Sequence, residues 1–484
     1  MRPLHLSLST LLAAALLASA CAEAARDAPA SPRAAASAAP ASGDQRFLDE
    51  VEQRTFRFFW DSTNPKNGLV PDRWPSKSFS SIAAVGFGLA AYPVGVERGY
   101  VTREEARART LTTLRFFWSA PQGTAPAGMT GYRGFFYHFL DMDKGQRFEP
   151  AVELSTIDTA LLIAGVLTAG EYFDGASPDE QEIRRLADAL YRRVEWDWFL
   201  RGSPLITMGW HPEKGYGDYR YGGFDEAMLL YVLALGSPTH PIGAEAWPAF
   251  TSTYAWGDFY GQEHVNFAPL FGHQYSHIWI DFRGIQDEYM RGKGIDYFEN
   301  SRRATLAQRA YAVENPMRWK GYDGQVWGLS ACSGPTDAVL TVDGVQRTFH
   351  TYAARGAARG DVRDDGTIAP TAAGGSIPFA PRETIAALQA MRARYGDHVF
   401  RSHGFVDAFN PTLDRQVPLK QGSIVPGVGW FEDDYLGIDQ GPILLMAENH
   451  RSGLVWRLMK KNPHVVRGLC RAGFTGGWIA GRCK

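Results

Sequence analysis

The sequence predicts an all-α protein, an (α/α)6 toroid or barrel with a long insertion of loops and short strands over one mouth. Three observations carry this expectation. Helical periodicity recurs from Asp44 onward, while continuous strand patterns are rare. The helices are of two kinds that roughly alternate along the chain, as two concentric layers require. No 34–47-residue pattern repeats, which sets an α-solenoid aside.

Taken from the N-terminus, residues 1–20 read as an export signal, with Arg2, an apolar run and small residues ahead of Cys21. The run is too short and too early for a spanning helix. "LLASAC" resembles a lipobox, with Ala18 where Leu is usual, so a lipid anchor at Cys21 and a periplasmic, outer-membrane-anchored location are expected. Ordinary cleavage after Ala20 or Ala24 is the alternative. Residues 21–44, rich in Ala, Pro and Ser, read as a disordered tether.

The folded domain is expected over 45–470. Its helical stretches begin with "DQRFLDEVEQRTFRFFWD" and "SSIAAVGFGLAAYPVGVERG" and run on through "HIWIDFRGIQDEYM" to "YLGIDQGPILLMAENHRS". Thr102 before "REEA", Ser177 before Pro178, and Pro381 before "RETIAAL" mark helix starts. Segments 177–197 and 382–395 are charged on one side and suit an outer layer; 157–170 and 226–235 are apolar all round and suit an inner one. Residues 320–380, rich in Gly, Asp and Thr, break the helical pattern and read as a functional excursion. Residues 471–484 form a Gly-rich tail, in which a Cys470–Cys483 bridge is plausible for an exported protein and Cys332 is left free. Four scattered cysteines without a C-x-x-C pair argue against a structural zinc.

The formal net charge of −2 gives no reason to expect nucleic acid or an anionic membrane surface as partner. The aromatic share of 13% is high, and many of these residues sit beside Gly, Asp, His or Arg. Such rings pack cores and also stack on the apolar faces of sugars.

Carboxylates recur at the entrances of the inner helices: Asp158 in "STIDTALL", Asp225 and Glu226 in "GGFDEAMLL", Asp439 in "GIDQGPILLM". Helix capping explains any one of them. Together above an aromatic cleft they supply what glycoside cleavage needs, one protonated carboxyl and one ionised carboxylate. Glu226 against "AMLLY" is the natural acid, Asp439 in its polar setting the natural base, and Asp158 an orienting or sharing partner. His273, His277 and Asp281 are spaced to share one helical face. A zinc helix would carry Glu after its first His, and Gln274 stands there, so no metal is expected. A buried polar seam and sugar binding both remain open for the two histidines.

The stretches "GFGLAAYPVGVERGYVTREEA", "GGFDEAMLLYVLALGSPTHPI", "LFGHQYSHIWIDFRGIQDEYMRGKGIDYFENSRRAT", "DGTIAPTAAGGSIPFAP", "GFVDAFNP" and "GIDQGPILLMAENHRSGLVW" resemble, in order, the glycoamylase-like domain of glycoside hydrolase family 144. The resemblance runs from about residue 45 to about 470. It implies an (α/α)6 scaffold without cofactor that hydrolyses β-1,2-glucan with inversion, releasing sophorose or longer oligosaccharides. Position by position it places the acidic site on Asp158 and Glu226, with Asp439 and Asp407 as further members. Many members carry another acidic residue three positions before Asp158; this chain has Ser155, with Glu153 as a possible substitute. The resemblance also turns His273 and His277 toward sugar binding. Trp210, Tyr221, Trp327 and Trp430 are candidates to stack on sugars, and Arg283 and Gln440 to hold hydroxyls. Two rivals stand: a polysaccharide lyase using His273, Tyr275 and Arg283, and a non-catalytic glucan-binding lipoprotein.

Overall fold

The computed structural model of the protein describes residues 42–483. The export signal over 1–20, Cys21 and nearly all of the tether over 21–44 therefore lie outside the described residues. Helices begin with α1 (Gly43–Asp61), α2 (Ile82–Glu97), α3 (Arg103–Ser119), α4 (Thr156–Tyr172) and α5 (Pro178–Arg192). Next come α6 (Met228–Gly236), α7 (Ala246–Thr251), α8 (Tyr275–Trp279), α9 (Glu288–Lys293) and α10 (Tyr297–Glu314). The last are α11 (Pro370–Gly374), α12 (Pro381–Tyr395), α13 (Gly437–Arg451), α14 (Leu454–Met459) and α15 (Pro463–Arg471).

Six of these close an inner ring. α2 packs on α4, α4 on α6, α6 on α8, α11 on α13, and α13 back on α2. The α8–α11 step is made by Gln274, whose amide donates to the carbonyls of Thr371 and Ala372 and to the hydroxyl of Ser376. The expected (α/α)6 barrel is thus present. α2, α4 and α6 are covered on every side, which is why their sequences are apolar all round. The outer α5 buries one stripe, Ile183, Leu186, Ala187, Leu190 and Tyr191, and leaves its charges outside. Thr102, Ser177 and Pro381 take the expected places: Thr102 and Ser177 cap their helices, and Pro381 opens its own. α14 crosses the far end of the ring against α4, α8 and α13.

Backbone lies against backbone where α2 crosses α4. A Cβ added at Gly165 would sit 2.0 Å from the Gly86 carbonyl oxygen, and one at Gly86 would sit 2.3 Å from that of Leu161. Only glycine fits either place. At the N-terminal end of the ring, a five-stranded antiparallel sheet runs in chain order through Gly131–Tyr132, Phe135–Tyr137, Leu154–Ser155, Gly209–His211 and Gly215–Tyr216. The ring is also tied at this end by Arg73–Trp74, which pairs antiparallel with Tyr435–Leu436 just ahead of α13.

Three expectations need correction. The helix read across "HIWIDFRGIQDEYM" stops at Trp279, because Ile280 turns extended and Asp281 folds back to accept from the Arg283 amide and guanidinium. His273 lies in a 3-10 turn, His277 in α8 and Asp281 beyond it, so the three do not share a helical face. Segment 320–380 holds the hairpin Ala338–Val342 with Val345–Phe349, but it also holds α11, an inner helix too short to show a period. Residues 471–483 pack onto the domain: Phe474 and Ile479 are buried, the Trp478 indole donates to the Asp281 carbonyl, and Cys470 is bonded to Cys483. Cys332 is free and buried.

Overpacking a closed helix contact costs roughly 1–3 kcal/mol or more. Gly165→Ala should therefore lower the unfolding free energy by an amount in that range, read as a lower urea midpoint by far-ultraviolet circular dichroism; an unchanged midpoint would contradict the α2–α4 contact.

Candidate active site

The N-terminal ends of five inner helices converge on one cavity of about 550 Å³. Ser81 caps α2, Asp158 lies in the first turn of α4, and Glu226 lies two residues ahead of α6. Tyr275 opens α8, and Ile438 is the second residue of α13; all five line the cavity. Helix N-termini favour negative charge, and four carboxylates line this space: Asp72, Glu153, Asp158 and Glu226.

Strand alternation decides which side chains face it. Glu153 and Ser155 line the cavity while Leu154 between them is buried in the core. In the neighbouring strand Gly209 and His211 face inward, and Trp210 points the other way onto Tyr132 and Trp198. Gly209 is small for a reason, since a Cβ there would meet Glu153 Cγ at 2.8 Å.

Ser155 performs the capping of α4, accepting from the Asp158 amide, which leaves the Asp158 carboxylate free for other work. The Ser155 hydroxyl donates to Asp158 Oδ2 at 2.5 Å. On its other side His138 Nε2 stands 3.4 Å from Asp158 Oδ1, and His138 Nδ1 is 2.9 Å from Glu153 Oε1. Burial would push this imidazole down, but Asp158, the bond to Glu153 and the nearby Asp72 together raise it to about 9. Both ring nitrogens are committed to carboxylates. The three residues are close enough to surround a metal ion, yet a doubly bonded imidazolium has no lone pair to offer one.

The carboxylates divide into two protonation classes. Burial, opposed by peptide hydrogen bonding and reinforced by Asp158, lifts Glu226 to about 7. Burial raises Asp158 too, against the pull of His138 and Ser155. Asp72 is likewise raised by burial despite Arg73, 3.5 Å away. Glu153 alone is lowered: burial opposes its ionisation, and His138 overcomes it. One cavity thus holds a carboxyl poised to donate a proton and a carboxylate held ionised.

Asp439 does not line this space. It sits behind Leu436 and Ile438, buried, with its acidity strongly suppressed first by burial and then by Asp407. Asp439 Oδ2 and Asp407 Oδ1 are both buried and accept from no donor among the described residues. Asp407 Oδ2 accepts from the Ser333 amide.

Several expected sugar contacts are absent from the cavity wall. His273 is fully buried on Phe224, its proton affinity far below the usual range because burial and the neighbouring His264 and His277 exclude charge. His277 is driven to about 3 by burial and bonds Ser301. They form the polar seam, not a sugar grip. Arg283 is held by Asp281 and stacks over Trp456. Gln440 is buried and donates to the Phe405 carbonyl. Trp327 and Trp430 are wholly in the core. Of the proposed aromatics only Tyr221 reaches the cavity. Its other rings, Phe79, Phe139, Phe271, Tyr219, Tyr275 and Tyr352, were not singled out for stacking, and neither were Asp72 and His138 as site residues. Tyr352 and Ala331 are the contribution of segment 320–380.

Residues 218–463 match the family model Glycoamylase, described as "Putative glucoamylase". The chain is 29% identical over 460 residues to the exo β-1,2-glucooligosaccharide sophorohydrolase (non-reducing end) of Parabacteroides distasonis, a match covering 88% of this chain. It spans 57% of that relative's length. The crystal structure of a "putative glucoamylase" from Bacteroides uniformis superposes with a TM-score of 0.77 at 31% identity, covering 91% of this chain and all of that one. An endo-β-1,2-glucanase from Chitinophaga pinensis, solved with sophorotriose and glucose, gives 0.76 at 28% identity over 90% of this chain and 100% of that one.

The His138 bridge makes stability depend on pH. Its folded pKa of about 9 lies above the 6.5 of a free imidazole, so its stabilisation is complete below about 6.5 and is lost as pH rises through about 9. Thermal midpoints of wild type and His138→Gln should differ clearly at pH 6 and converge by pH 10. A constant gap across that range would remove the bridging imidazolium from the site.

Proposed function

The chain belongs to glycoside hydrolase family 144, the glycoamylase-like family, and from that premise we propose that it hydrolyses β-1,2-linked glucan. The observation that supports this most is the placing of Glu226 and Asp158 in one cavity at the mouths of neighbouring inner helices. Glu226, half-titrated near neutral pH, donates its proton to the leaving glycosidic oxygen. Asp158, held between Ser155 and His138, fixes a sugar hydroxyl, and burial keeps Glu226 protonated beside it. The attacking water loses its proton to Asp72, the carboxylate of the cavity wall beside Arg73. In this reading Asp439 acts from behind the wall, through Asp72 or a water, and the anomeric configuration inverts.

The lyase reading loses support. It needs a cationic cleft for its uronate, and this one is lined by four carboxylates against Arg73 and two histidines. Its proposed His273 and Arg283 do not reach the cavity. We further propose that Cys21 carries a lipid and holds the enzyme on the periplasmic side of the outer membrane; Cys21→Ala should then move it from the membrane to the soluble fraction.

Incubation with β-1,2-, β-1,3- and α-1,4-glucans should yield new reducing ends from the first alone, without ultraviolet-absorbing products. Glu226→Gln should lower kcat by roughly 10²–10⁴-fold. Because Glu226 must be protonated to act, wild-type kcat should fall as pH rises through about 7. Near-normal turnover by Glu226→Gln would end the assignment.

A further inference from the structure

We infer that the rim of the cavity is an aromatic subsite for glucose units of the same glucan that lie outside the cavity, formed by Phe148 with Phe79 and Phe139, and by Tyr219. The inference rests on the hydrolase reading above. A cavity of about 550 Å³ has the room of a drug-sized ligand, not of a polymer, so a long glucan must cross the rim.

The rings there are arranged as a path. Phe148, 44% exposed, packs at 4.8 Å on Phe79; Phe79 packs at 4.2 Å on Phe139; Phe139 stacks at 3.8 Å on His138, which touches Asp158. The ladder therefore runs from solvent to the carboxylates. Tyr219 lines the cavity mouth and is 78% exposed, on a segment rich in glycine.

Neither exposed ring is the accident of a loose loop. The Phe148 amide donates to the Phe139 carbonyl at 3.0 Å. The Tyr219 carbonyl accepts from the Met208 amide at 3.0 Å, and the next residue, Arg220, donates to the carbonyls of Leu200 and Leu205. Contiguous rings exposed beside a ligand-sized cleft are the form an apolar binding surface takes. A flat ring complements the apolar C–H face of a glucose unit, while the carboxylates just inside repel a polyanion.

The test compares kcat/KM on long β-1,2-glucan with kcat/KM on a β-1,2-linked tetrasaccharide, for wild type, Phe148→Ala, Tyr219→Ala and Tyr219→Phe. Each alanine variant should reduce the long-to-short ratio roughly three- to tenfold, chiefly through KM for the long chain. Tyr219→Phe, which keeps the ring, should retain the wild-type ratio. An unchanged ratio in both alanine variants overturns the subsite, and equal losses on both substrates overturn its placing outside the cavity. A wild-type enzyme that cleaves no β-1,2-glucan overturns the hydrolase reading and this inference with it. Both side chains are exposed, and matching thermal melts distinguish a lost contact from a lost fold.

Discussion

The contact of α2 with α4, backbone on backbone across Gly86 and Gly165, is the constraint on which the rest of the site depends. Side chains of any size between these helices would force them apart. Those ends carry Ser81 on one helix and Ser155 and Asp158 on the other, and both helices open on the same cavity. The same economy recurs where Gly468 of α15 meets the Val232 carbonyl of α6, behind the segment that presents Glu226. Glu226 and Asp158 are thus positioned by the absence of atoms elsewhere.

With the scaffold so tight, the chemistry is set by which charges burial permits. Removing carboxylates from water favours their neutral forms, and the helix N-termini do not reverse this for Asp158 or Glu226. Among the described residues His138 is the cation bonded to two of the cavity carboxylates, and its reach decides that Glu153 ionises. A second buried acidic group stands at the far end of the ring. There Glu52 and Glu448 share Arg98, and Arg451 adds a further bond to Glu52. Burial and then Glu448 raise Glu52 to about 8, so at this end too a neutral carboxyl is cheaper than a second buried charge.

The double-layered barrel was legible because inner and outer helices bury different fractions of their surface, and composition records that directly. α11 was not, since "PTAAG" is too short for any period to emerge. The long helix expected after His277 failed for a different reason: its apolar spacing continues past Ile280, but Asp281 spends its carboxylate on the local Arg283 turn and on Lys460. Asp158 and Glu226 could be found because each directly precedes an apolar run. Glu153 stood out beside Ser155, but its bridge to His138 could not, as their meeting depends on the pairing of Phe136 with Ser155. The aromatics show the deepest limit. Trp210, Trp327 and Trp430 have the composition of sugar platforms and the location of core, while Tyr219 and Phe148 reach the rim only through their strands and turns. Which face of a ring meets solvent is a property of the assembled chain.

The short ladder between Arg73–Trp74 and Tyr435–Leu436 joins segments more than 350 residues apart. During synthesis the pocket therefore has no wall on one side until the last tenth of the polypeptide has left the ribosome. Nascent chains carry Glu226 long before they own an enclosed place for it, so the cavity is completed only near the end of synthesis. A chain stalled short of Tyr435 would lack that wall for the same reason.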